Sequence, residues 1–150
     1  MTLDEFLVWD DGTDTRYELI AGCPVAMAPP AEVHRVIAVR LAARIDAALA
    51  ARRPCNTQII AGVIRPDRAD TFFVADIAAT CAPIEIGRQA IKDPFLIVEV
   101  LSPSTDRHDR RVKLPVYRRI DLRAVDDPTV TAQLCRDWCK FRAKSPTNPG

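Results

Sequence analysis

The sequence predicts an α/β domain, and three observations predict it. Val33, Val36, Ile37, Leu41, Ile45 and Leu49 recur at three- and four-residue spacing across residues 31–53, which marks an amphipathic helix. Residues 71–79 and 95–101 are short apolar runs rich in β-branched residues and bracketed by turn formers, which marks buried strands. A chain of 150 residues that is 48% hydrophobic is long and apolar enough for one real core, which argues against wholesale disorder. Lys+Arg 21 against Asp+Glu 20 leaves a net charge of +1, so any nucleic-acid face must come from local clustering. No stretch is suited to crossing a membrane and the start lacks a basic, then apolar leader, so the cytoplasm is the expected location.

In chain order, Thr2 with Glu5 forms a capping-box pattern for a short helix carrying Leu3, Phe6 and Leu7. Residues 10–14 are a turn. Arg16–Ile20 alternates as a strand, Ala21-Gly22 is a hairpin turn, and Cys23–Met27 returns, with Pro24 favouring an edge. Pro29-Pro30 stops it and the long helix follows, with His34 beside its apolar stripe, where a histidine is more often a packing or surface group than a catalyst. After Pro54 a strand pair is expected, Asn56–Ile60 and Gly62–Arg65, broken near Ala61-Gly62. A strand over Thr71–Ala79, a loop over Cys81–Asp93, a strand over Phe95–Leu101 and a helix from about Thr105 to Arg119, weakened at Pro115, complete the core. The five cysteines are odd in number; Cys23, Cys55 and Cys81 read as reduced thiols, and Cys135 and Cys139 lack the partner pair that a structural zinc site needs.

Two residues contradict their surroundings. Glu99 and Asp76 each interrupt an apolar strand, and a lone carboxylate away from water costs several kcal/mol unless something compensates. Glu99 reads equally as a half-exposed residue facing water, whereas a strand end or local turn is the lesser reading of Asp76. Two such lapses in neighbouring strands favour a site. The turn Ser102-Pro103-Ser104-Thr105 and the basic run Arg107, Arg110, Arg111, Lys113, Arg118 and Arg119 would then suit a phosphodiester, although such a run is as often a solvated helix face. Hard carboxylate oxygens suit Mg²⁺.

These pieces resemble the PD-(D/E)XK nuclease superfamily in its bacterial, Uma2-like restriction-endonuclease branch. The resemblance rests on Thr2–Phe6, Arg16–Ile20 with Gly22, Met27–Pro30 followed by His34, Ala75-Asp76-Ile77, and the block Leu96–Thr105 with Asp109, Lys113 and Tyr117 downstream. It covers about residues 1–120 as a nuclease-like domain and implies a restriction-endonuclease-like central mixed sheet flanked by helices, with Mg²⁺ (or Mn²⁺) as cofactor and DNA as partner. It implies that Asp76 and Glu99 ligate the metal and that Glu18 completes the shell. The lysine of the motif should stand at position 101, which is Leu101, and the resemblance points instead to Lys113 as the group that assists the attacking water. Ala75 replaces the expected proline without removing a ligand. Ser102, Ser104, Thr105, Arg110 and Arg111 are the implied substrate contacts.

The family pattern would continue past Arg119 with a strand, a turn and another strand. Residues 121–150 show no sustained period and end in Ser145-Pro146-Thr147-Asn148-Pro149-Gly150, so an altered, disordered tail is expected, with a reading frame that departs from the family near Ile120. Two other classes stay open: a catalytically decayed relative that binds DNA or a partner, and a metal-dependent hydrolase of small phosphate esters. A homodimer is compatible with the sequence.

Overall fold

In the computed structural model, which describes residues 1–101, 106–118 and 120, Ala21 (φ 49°) and Gly22 (φ 80°) are both left-handed. A two-residue turn of that hand matches the twist of its flanking strands. β1 (Tyr17–Ile20) therefore folds back on β2 (Cys23–Ala26), with Ile20 opposite Cys23. The preceding α1 (Leu3–Leu7) has its expected reciprocal cap: Thr2 N–H donates to Glu5 Oε2 at 2.7 Å and Glu5 N–H to Thr2 Oγ1 at 3.3 Å. Then come α2 (Glu32–Leu49), β3 (Asn56–Ile64), β4 (Phe72–Thr80) and β5 (Pro94–Val98). The last helical stretch is α3 (Asp106–His108), a π-helical turn (Asp109–Lys113) and α4 (Leu114–Tyr117). The wide turn precedes Pro115, which has no N–H to donate and crowds the turn before it.

The sheet order is β2-β1-β4-β3, and β5 also pairs with β4. All of these pairs are antiparallel; the parallel component of the expected mixed sheet is one isolated bridge, Gly62–Ala90. β3 lines one edge of β4 from Ile64–Phe72 to Asn56–Thr80. The other edge is shared. β1 reaches it at Leu19–Phe72, and β5 from Ile77–Val98 to Thr80–Pro94. Among the described residues, 73–76 meet no strand on that edge, and the site forms in this gap.

Three apolar clusters hold the layers together. α1 covers Leu19 and Phe72 with Leu3, Phe6 and Leu7. α2 supplies Ala42, Ile45 and Leu49 to Ile77 and Ala79, and burial of Ile45 and of Leu49 contributes about 1.5–3 kcal/mol each. Tyr117 and Val112 pack with Val63, Phe73 and Ala75.

Several expectations need correction. The strand pair is one continuous β3, because Gly62 serves a close approach and not a turn. A Cβ there would overlap the Gln89 carbonyl oxygen and stand 2.5 Å from Phe72 Cζ. Gly62→Ala is accordingly expected to destabilise the protein by about 1–3 kcal/mol; a thermal melt that matches wild type would refute the packing argument. β5 stops at Val98, which leaves Glu99 just beyond the strand end. The front of the α2 stripe is exposed, Val33 at 71% and Val36 at 42%, because the helix packs on the sheet through its C-terminal half. Cys55 and Cys81 are not thiols but a disulfide, since the β3–β4 register places them one step beyond the Asn56–Thr80 pair; Cys23 is free. Ser102, Ser104, Thr105 and the expected tail over 121–150 lie outside the described residues.

Candidate active site

Side chains stand in for the missing strand along residues 73–76. Val74 N–H donates to Glu18 Oε1 at 2.8 Å, the Lys113 ammonium donates to Val74 O at 2.9 Å, and Asp76 N–H donates to Glu99 Oε2 at 3.3 Å. Buried backbone groups need partners, so the gap selects polar residues on the elements that border it.

Glu18 comes from β1. Its alternating strand suggests an outward-facing glutamate, but β1 lies between two strands and both its faces are covered, leaving Glu18 5% exposed and Leu19 buried. Lys113 comes from the π turn, and its ammonium lies 2.9 Å from Glu18 Oε1, 3.2 Å from Glu99 Oε1 and 3.8 Å from Asp109 Oδ1. Glu99 follows β5, and its Oε1 accepts the Tyr117 hydroxyl at 2.6 Å. Asp76 interrupts β4, and its Oδ2 accepts Val100 N–H at 2.7 Å. Across from Asp76 the β3 backbone is strained: Ile60, between the Ile59–Ile77 and Ala61–Ala75 pairs, has φ 54°, a costly conformation for a β-branched residue.

Burial pushes the Glu99 carboxyl from its ordinary 4.5 up to about 7, against the opposing pull of Lys113 and the Tyr117 hydrogen bond. Burial alone would lower the Lys113 ammonium, but Glu99, Glu18 and Asp109 together outweigh it, and the net displacement is upward. Burial, followed by the Glu99 carboxylate, drives the Tyr117 hydroxyl well above the usual tyrosine range, so it stays a donor. The site thus holds one buried ammonium among several acids, one of them close to neutrality.

Of the expected site residues, Glu18, Glu99 and Lys113 meet directly, and Asp76 is joined to Glu99 through its own backbone N–H. Arg110 and Arg111 are exposed on the π turn. Four residues with no role assigned from sequence also belong here. His34 Nε2 lies 3.1 Å from Asp76 Oδ2, and His108 Nε2 lies 3.3 Å from Glu18 Oε2. Asp109 and Tyr117 are buried beside Lys113. Two signals could have found three of them. His34 stands three residues before Ile37 and seven before Leu41, on the sheet-facing side of α2, and Asp109, Lys113 and Tyr117 follow at four-residue spacing.

Among the described residues, no three His, Cys, Asp or Glu side chains form a group that could hold a metal ion. The donor chemistry nevertheless fits magnesium, which uses one or two carboxylates, keeps several waters and takes further oxygens from substrate phosphates. Asp76 and Glu99 are such a pair; Glu18 Oε1 is taken up by Val74 and Lys113, and its Oε2 lies 3.3 Å from His108 Nε2. Among the described residues, no helix is long and apolar enough to cross a membrane.

A family model named Uma2, described as "Putative restriction endonuclease", matches residues 3–125. An uncharacterized protein of Synechocystis sp. is 31% identical over 115 residues, which cover 76% of this chain and 60% of that protein. The chain therefore spans about 60% of the length of this curated relative. The crystal structure of a "putative nuclease belonging to DUF820" from Anabaena variabilis matches with a TM-score of 0.62 at 21% identity, over 79% of this chain and 67% of that one. That likeness is one of fold.

Proposed function

The chain belongs to the Uma2 family, and from that premise we propose that it is a metal-dependent endodeoxyribonuclease that hydrolyses DNA phosphodiester bonds. The observation that carries this reading is the convergence of Glu18, Asp76, Glu99 and Lys113, from separate parts of the chain, on the unpaired edge of β4. Asp76 and Glu99 would hold Mg²⁺ or Mn²⁺, with Glu18 completing the shell through Oε2. When bound, such a cation polarises the phosphoryl oxygen and lowers the cost of ionising the attacking water.

The chain's own residues do the rest. Lys113 offers a positive charge, held in place by Glu18 and Val74 O, that offsets charge developing on the phosphate and orients the attacking water. In the cation-free site burial holds the Glu99 carboxyl near 7, and a bound cation would select its ionised form. Arg110 and Arg111 would contact backbone phosphates, together with Ser102, Ser104 and Thr105, which precede them in sequence.

The test is cleavage of supercoiled plasmid with Mg²⁺, with Mn²⁺ and with EDTA, using wild type, Asp76→Asn and Glu99→Gln. The expected result is cation-dependent nicking that falls about 100-fold or more in each variant. Nicking that survives EDTA or both substitutions would refute the assignment. Salt-dependent DNA binding without cleavage would identify a non-catalytic relative of the same fold.

A further inference from the structure

The two oxygens of each acid proposed to face the cation are treated unequally. On Asp76 both described side-chain contacts fall on Oδ2: Val100 N–H at 2.7 Å and His34 Nε2 at 3.1 Å. On Glu99 the Tyr117 hydroxyl at 2.6 Å and the Lys113 ammonium at 3.2 Å both fall on Oε1, while Oε2 takes a longer 3.3 Å bond from Asp76 N–H. Glu18 follows the pattern of Glu99: Val74 N–H at 2.8 Å and the Lys113 ammonium at 2.9 Å both fall on Oε1, and His108 Nε2 lies 3.3 Å from Oε2.

A carboxylate has about four lone-pair directions and rotates about its terminal bond unless something holds it. Donors that bind one oxygen fix the plane and leave the other oxygen for a ligand. Residues behind a metal's direct ligands act in this way, and their loss typically weakens metal binding. His34 and Tyr117 are themselves well anchored. The His34 side chain is 13% exposed on the sheet-facing side of α2. The Tyr117 ring is 5% exposed and packs edge-on against Phe73, with centroids 6.0 Å apart.

We propose that His34 and Tyr117 are positioning residues that each hold one oxygen of Asp76 or Glu99, so that the second oxygen of each carboxylate is presented to a divalent cation. The inference deepens the metal reading above and rests on it. His34 acts as an N–H donor and not as a ligand, because it shares its oxygen with Val100 N–H. Removing either donor frees the carboxylate to turn and weakens hard cations alike.

The experiment is isothermal titration of Mg²⁺ and of Mn²⁺ into the full chain, as wild type, His34→Ala, His34→Gln and Tyr117→Phe, with melting in EDTA as a fold control. Tyr117→Phe keeps the ring packing and deletes only the donor. His34→Ala and Tyr117→Phe are each expected to weaken both cations by about 10- to 100-fold, in equal proportion. His34→Gln, which restores a side-chain N–H donor, regains part of the loss. Affinities within about twofold of wild type in both deletions would overturn the proposal, and so would a His34→Ala loss confined to Mn²⁺, which would make His34 a ligand. If wild type binds neither cation, the metal reading itself fails. If wild type and variants bind alike, only the positioning role fails.

Discussion

Lys113→Met is expected to destabilise the cation-free protein by about 3–5 kcal/mol, the usual cost of removing one partner from a buried ionic group. The ammonium is the common counter-charge of Glu18, Glu99 and Asp109 and also satisfies Val74 O. Methionine keeps much of the volume but leaves three acids facing one another with little solvent to separate them. Urea unfolding in EDTA at pH 8 measures the loss. The deficit should shrink as the pH falls toward 5 and the acids take up protons, and it should shrink again in excess Mg²⁺. In wild type the upward displacement of Lys113 works at the other end of the scale: its stabilisation is complete below the ordinary 10.5 and is lost only as the pH rises beyond that value. A variant as stable as wild type at pH 8 would mean that the acids are solvated and that Lys113 is not what holds them.

Glu99→Gln is expected to remove a pH dependence worth about 3 kcal/mol, since each unit of pKa displacement corresponds to about 1.36 kcal/mol. The folded Glu99 carboxyl keeps its proton to about 7, whereas the unfolded one releases it near 4.5. Folding therefore takes up a proton between these values. The stabilisation is complete below about 4.5 and is lost as the pH rises through about 7. Wild type should lose stability relative to Glu99→Gln across that window in EDTA. Saturating Mg²⁺ should oppose the trend, because a cation selects the ionised carboxylate and releases its proton. Stability profiles that run parallel for the two proteins from pH 4 to pH 8 would refute the buried, protonated state.

Much of the frame is legible because it depends on neighbours in sequence. The Thr2–Glu5 cap, the Ala21-Gly22 turn and the strand character of residues 72–80 follow from local hydrogen bonding, backbone hand and side-chain pattern. Asp76 and Glu99 stand out for the same reason: each is an acid where its own segment calls for an apolar residue. Glu18 does not stand out, because alternation along β1 shows which residues share a face and not whether that face is covered. His34 looks like a packing residue until α2 is laid over the sheet. Gly62 looks like a break until Gln89 and Phe72 are seen to press against it. The front of the α2 stripe is misleading in the opposite sense, since periodicity identifies an apolar face but not how far its partner extends.

Most of the elements, the Ala21-Gly22 turn and two anomalous acids can be read along the chain, because they are set by interactions within a few residues. Long-range pairing makes β1 and β5 share one edge of β4 and leaves residues 73–76 between them. That edge carries backbone donors and an acceptor that must be satisfied, so Glu18, Glu99 and Lys113 are drawn to it from far apart in the chain. The same long-range pairing brings Cys55 to Cys81. It also buries Glu99 where water is scarce, and that burial moves its carboxyl to about 7 against the pull of Lys113. A charge's environment depends on everything packed around it, and no local pattern encodes that.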